Sequence, residues 1–213
     1  MPMKFPVSSS SGDFEPVAAG SHIAVCDMVV YLGIQPGSGL YPAPKPQLFI
    51  RFEIPAERIE YEKDGKKVTG PAVIGKTYTA SMNEKANLRH DLESWRGRQF
   101  SDEEAGDFDV SAILGKPCMI SVIHKTKGDK TYANIGGISG LPKGIAAKTI
   151  IAEQTPIYYG EDNTASYQKL PEWLRKKIDG QIVPEQKATK HEEDQRGNQI
   201  GDDDYITDED IPF

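Results

Sequence analysis

The chain has 213 residues, a net charge of -7 and 38% hydrophobic residues. That hydrophobic share is below the usual globular level, so part of the chain is expected to lie outside any core. No run of 18 apolar residues exists to span a membrane as a helix, and Met-Pro-Met-Lys-Phe-Pro-Val followed by four serines has no signal-peptide core.

The charge is uneven. Residues 1–180 hold 22 Lys/Arg and 22 Asp/Glu, whereas residues 181–213 hold 3 and 10. The tail carries the whole imbalance, so the acidic total says nothing against a basic patch on the body. Cys26 and Cys118 both sit in apolar runs and read as buried free thiols of a cytoplasmic protein.

Residues 1–20, rich in Ser, Pro and Gly, read as a loose arm. His22 to Ile34 (HIAVCDMVVYLGI) is a long β-branched stretch whose apolar side switches around Asp27, as in a bulged strand. Gln35 to Pro46 holds four prolines and two glycines and reads as a long loop. In Gln47 to Ile54 (QLFIRFEI), Leu48, Ile50, Phe52 and Ile54 face one way, and Phe49, Arg51 and Glu53 the other. Arg58 to Gly70 carries an Asp64-Gly65 turn and reads as an inserted hairpin; Gly75 to Ala80 reads as a further short strand.

Ser81-Met82-Asn83-Glu84 then matches a capping box, with Leu88, Leu92 and Trp95 following at helical spacing and Gly97 as a stop. Ser101 to Glu104 is a second capping signal. Pro117 to His124 and Thr131 to Ser139 read as strands around a lysine-rich loop. Pro171 to Ile178 reads as a short helix, with Pro171 at the first helical position and Trp173, Leu174 and Ile178 inward. Beyond Val183 there is almost nothing to bury, so residues 183–213 read as a disordered acidic tail.

Three strands, a helix and two more strands is the order of the OB-fold, a five-stranded Greek-key barrel. The expectation is therefore a mainly β body over residues 21–182, with one helix and the inserted hairpin.

Enzyme signatures fail. His22, His90, His124 and His191 make no metal-ligand spacing with one another or with a cysteine. Gly136 to Gly144 is glycine-rich, but Lys143 is followed by Gly rather than the hydroxyl a phosphate loop needs. No Gly-x-Ser-x-Gly occurs, and Asp107 and Asp109 read as a solvated acidic turn. No catalytic residue, metal or cofactor is expected.

Aromatic and basic residues do better. Phe49 beside Arg51 suits a base stacked on a ring with a phosphate nearby, unless the inserted hairpin covers it. Tyr31 leads into the Pro-rich loop and Tyr41 lies within it, where OB loops frame a groove. Lys125, Lys127, Lys130 and Tyr132 put three cations and a ring within eight residues, which suits an electrostatic funnel for a single strand or simply a charged hairpin tip. Trp95 reads as core, with Arg96 and Arg98 free to reach phosphates.

The tail is sharper. Asp208-Glu209-Asp210-Ile211-Pro212-Phe213 closely resembles the C-terminal tip of bacterial single-stranded DNA-binding proteins, where an acidic run ends in Asp-Ile-Pro-Phe. The resemblance implies docking of these six residues into a pocket on replication and repair enzymes. The chemistry fits: a ring for an apolar pocket, a terminal carboxylate for a cation, acids for a basic rim. The body matches no stretch of that family's core and has no Gln/Gly-rich linker. It is more similar to phage-encoded single-stranded DNA-binding proteins, over Leu88 to Asn134, with Ser94-Trp95-Arg96-Gly97-Arg98, Leu114-Gly115-Lys116-Pro117-Cys118 and Lys130-Thr131-Tyr132-Ala133-Asn134.

The expectation is thus a non-enzymatic protein that coats single-stranded DNA with little sequence preference during replication, recombination or repair. It would recruit partner enzymes through its tip in the cytoplasm, that of a bacterial host if phage-encoded. The rival reading is an interaction protein that copies the tip to capture such enzymes and binds no DNA. No feature of the sequence sets the oligomeric state.

Overall fold

The computed structural model describes residues 16–37, 42–63, 65–161 and 163–183. These described residues form one compact unit. Tyr41 and the whole acidic tip, Asp208 to Phe213, lie outside the described residues, as do the arm up to residue 15 and the tail from residue 184.

The architecture is mainly β, a curled antiparallel five-stranded half-barrel. Its strands are β1 (Gly20–Gln35), β2 (Lys45–Lys63), β3 (Lys66–Thr79), β4 (Pro117–Lys127) and β5 (Lys130–Ser139). They pair in the order β3-β2-β1-β4-β5, and curling brings β3 and β5, the two ends of that path, into contact. A short sixth strand, β6 (Ile157–Tyr159), runs parallel to Met28–Val30 of β1.

The switch at Asp27 organises everything else. The register of β1 against β2 shifts between Cys26 and Met28. Ala24, Cys26 and Val29 therefore fill the interior of the curl, while Met28, Val30 and Leu32 face outward. Leu48, Ile50, Phe52 and Ile54 of β2 join the inner core as the alternation predicts. Cys26 and Cys118 are buried free thiols within it, and burial raises both well above the usual thiol value.

The inserted hairpin is not separate. β2 and β3 form one continuous hairpin from Gln47↔Thr79 to Lys63↔Lys66, with one register shift between Ile54 and Arg58. The predicted strand at Gly75 to Ala80 is the end of β3. Pro55 falls within that irregularity, where a missing N–H costs no ladder bond.

Helix α1 (Asn87–Arg96) begins later than the Ser81 signal predicts. Ser81 Oγ accepts from the N–H of Asn83 at 3.3 Å, and Ala86 N–H bonds to Asn83 O at 2.8 Å. The serine thus closes a turn at the end of β3 instead of capping a helix. Leu88 and Leu92 are buried, and Trp95 packs on Phe52 while its Nε1 donates to Pro117 O at 3.0 Å. Gly97 ends the helix with φ 74°. The second signal holds: Ser101 and Glu104 make both capping-box bonds at the start of α2 (Asp102–Gly106).

The outer face of β1 and β2 is covered from the far end of the chain. Helix α3 (Glu172–Asp179), with Pro171 as its N-cap rather than its first residue, lays Leu174 and Ile178 over Met28, Val30, Leu32 and Phe49. Trp173, expected inward, is 48% exposed and sets its ring edge-on to Phe49 at 5.1 Å between centroids. Phe49 also lies across Gly75, where a Cβ would fall 2.2 Å from its Cζ. The ring is thus held between sheet and helix. Gly75→Ala is expected to cost about 1–3 kcal/mol by overpacking, seen as a lower urea midpoint with an unchanged slope.

Candidate nucleic-acid interface

The β4–β5 hairpin gathers one exposed basic and aromatic face. Its strands run further than the sequence predicts, and only Gly128 and Asp129 separate them. Gly128 has φ 60°, a conformation a glycine adopts without strain. The ladder pairs Lys127↔Lys130, Lys125↔Tyr132 and Ile123↔Asn134. Residues directly opposite in an antiparallel pair share a face, as do residues two apart on one strand. Lys125, Lys127, Lys130 and Tyr132 therefore stand on one side of the hairpin, with Ile123 and Asn134 behind them.

All four are exposed, Tyr132 to 50% and Ile123 to 42%. Ile123 lies over Gly136, whose missing side chain makes room for it. No ion pair engages these lysines among the described residues. The face thus offers three solvated cations and a ring, a combination that meets phosphates and stacks on bases. Sequence reasoning found all four residues; it missed Ile123 and Asn134, which only the register adds.

Arg96 and Arg98 do not join this face. Both bond to the Glu104 carboxylate, at 3.2 and 2.8 Å, and Arg96 also lies over the Phe100 ring. Arg98 remains 65% exposed. They sit where α1 meets the Gly140 end of β5, about 30 Å along that strand from the hairpin tip. These bonds, those of Arg98 first, hold Glu104 below the usual carboxylate range.

Phe49 and Arg51 are corrected more sharply. The expectation of an exposed ring beside a cation fails, because Glu153, Gln154 and α3 cover that face. Phe49 is 7% exposed. Arg51 donates to both oxygens of Asp27, through Nε at 3.1 and 3.0 Å and Nη2 at 2.6 Å. Asp27 is fully buried; burial raises its carboxyl above the usual range and the Arg51 bonds oppose that rise. Glu53, also fully buried, accepts the backbone N–H groups of Glu153 and Gln154 at 2.6 and 3.1 Å. Arg51 further donates to Gln154 Oε1 at 3.3 Å, and Arg58 pairs with Glu153. The polar side of β2 thus anchors the covering segment.

Tyr31 stands apart from all of these, in a cleft of about 410 Å³ at one end of the curled sheet. Burial, then the neighbouring Glu161 carboxylate, raises its hydroxyl above the usual value. Sequence reasoning missed Glu161, Tyr158 and Phe108, which line the same cleft.

Among the described residues, no group of three or more His, Cys, Asp or Glu is placed to hold a metal ion, and no helix is long and apolar enough to cross a membrane. No family model matches the chain, and no curated protein matches it either.

Proposed function

We propose that the chain is a non-enzymatic, cytoplasmic single-stranded DNA-binding protein built on an OB-type barrel, with a recruiting tip at Asp208 to Phe213. The observation that carries this reading is the hairpin face with Lys125, Lys127, Lys130 and Tyr132 on one side. Phosphate neutralisation by the lysines and stacking on the ring would give affinity with little sequence readout. The strand path β3-β2-β1-β4-β5, with helix between β3 and β4, agrees with an OB barrel. The tip adds partner capture through its resemblance to bacterial single-stranded DNA-binding proteins.

A second reading, capture of replication enzymes without DNA binding, is favoured by one observation. The β1–β2 face that held Phe49 and Arg51 as stacking candidates is filled by α3. Titration of labelled oligo-dT and of a matched duplex at low and high salt separates the two. The first reading expects tighter single-strand binding that weakens as salt rises. Equal affinities, or no binding at low salt, favour the second. Under either reading, deleting Phe213 is expected to abolish capture of replication enzymes in a pull-down; intact capture removes the tip's role.

A further inference from the structure

The cleft around Tyr31 has a composition unlike the hairpin face. Its walls include Tyr31, Tyr158, Phe108 and Met82, each half-buried and packed on the inner core. The Tyr158 ring lies over Gly160, so glycine there leaves room for it. Glu161 stands exposed at the rim, and no Lys or Arg is among the described lining residues. The volume, about 410 Å³, lies in the range of small-molecule sites.

Aromatic walls select a planar ligand. Glu161 is the one carboxylate among the described lining residues and no cation joins it there, a combination that repels phosphate and asks for N–H donors. Tyr31 and Glu161 line the same cleft, and a carboxylate has about four lone-pair sites, so acceptor capacity remains whatever the phenol takes. Among the bases, thymine flanks its one N–H with two carbonyl oxygens, which the carboxylate would repel. Adenine and cytosine each set an amino group beside a ring acceptor. Guanine alone presents two adjacent donors, N1–H and the 2-amino group, to both oxygens of a carboxylate.

We propose that this cleft holds one unstacked guanine of a bound strand, Glu161 accepting from its Watson–Crick edge between the aromatic walls. The inference rests on the single-strand-binding reading and adds a base preference at one position to it. Such capture of splayed-out bases is common where single strands are read.

The test compares an oligo-dT of about 15 nucleotides with the same strand carrying one central dG. The full chain is expected to bind the dG strand about tenfold more tightly, within the discrimination a bidentate contact supplies. Glu161→Gln, a conservative change at an exposed residue, is expected to bring the ratio near one. Tyr31→Phe keeps the ring and leaves the carboxylate in place, so the preference is expected to persist. Equal affinity of both strands for the unaltered chain overturns the guanine site and leaves the single-strand reading intact. Titration of tyrosine fluorescence with free guanosine keeps the two separable. Quenching by guanosine that Glu161→Gln abolishes supports the cleft even if no oligonucleotide binds. Quenching by a trimethyllysine peptide but not by guanosine overturns it in favour of a cation cage.

Discussion

Arg51→Ala is expected to destabilise the protein by about 3–5 kcal/mol, a large share of the stability of a domain this size. Asp27 has no solvent to turn to, and its two oxygens take three hydrogen bonds from Arg51. Glu53 lies close enough to raise Asp27 further. Without the guanidinium, the carboxylate is a buried charge beside another acid. It escapes that cost by taking a proton, which fixes the sign of the pH dependence. Asp27 is raised in the folded protein, so the stability tied to its protonated form is present below the ordinary aspartate value and lost as pH rises through the folded value. Removing Arg51 takes away the interactions that lower Asp27, so the variant is expected to recover stability as pH falls from 7 towards 5. Glu93, Glu104 and Asp109, all held low, run the other way, but they are common to both proteins and cancel in the difference. Urea unfolding of both forms at the two pH values measures this. Asp27→Asn in the Arg51→Ala background is expected to recover much of the loss at pH 7. A double variant no better than the single one would sink the account, because the penalty would then not be the orphaned charge.

The same residues mark the limit of what the sequence discloses. Alternation along Gln47 to Ile54 assigns Leu48, Ile50, Phe52 and Ile54 to one face, because period two is a local property of a strand. It says only that Phe49, Arg51 and Glu53 share the other face. What covers that face comes from about 100 residues away, through Glu153, Gln154 and α3. β6 is three residues long and has no period to detect. A signal was present: β1 is apolar on both sides after Asp27, and a strand buried on both faces implies a second cover. Turn chemistry was legible at Gly97, at Ser101 and at Gly65, because caps and tight turns depend on near neighbours. Ser81 misled because its hydroxyl serves a turn two residues on as readily as a helix three residues on. The lysine hairpin was readable as a cluster in sequence, whereas its shared face needed the register that pairs Lys125 with Tyr132.

Replacing Lys125, Lys127 and Lys130 together by Ala is expected to weaken single-strand binding most at low salt and least at high salt. Each phosphate left without its lysine takes about 0.7 from the slope of log affinity against log salt for a single strand, so three take about 2. Across a fourfold rise in salt that change in slope amounts to roughly a tenfold to twentyfold convergence of the two proteins. Tyr132→Ala acts differently. Loss of a stacked base costs about 1–3 kcal/mol with little dependence on salt, so its binding curve shifts while the slope stays. The pair of variants therefore separates charge from stacking on one hairpin. All four side chains are exposed, so thermal stability is expected to change by no more than about 0.5 kcal/mol per substitution, and affinity can be read on folded protein. Arg98→Ala, at the distant end of β5, serves as the comparison: it removes an exposed cation already paired with Glu104, and the slope is expected to change by less than about 0.7. If the triple variant keeps the slope of the unaltered chain while Arg98→Ala loses it, the strand runs along the α1–α2 side of the sheet and the hairpin is only a solvated tip.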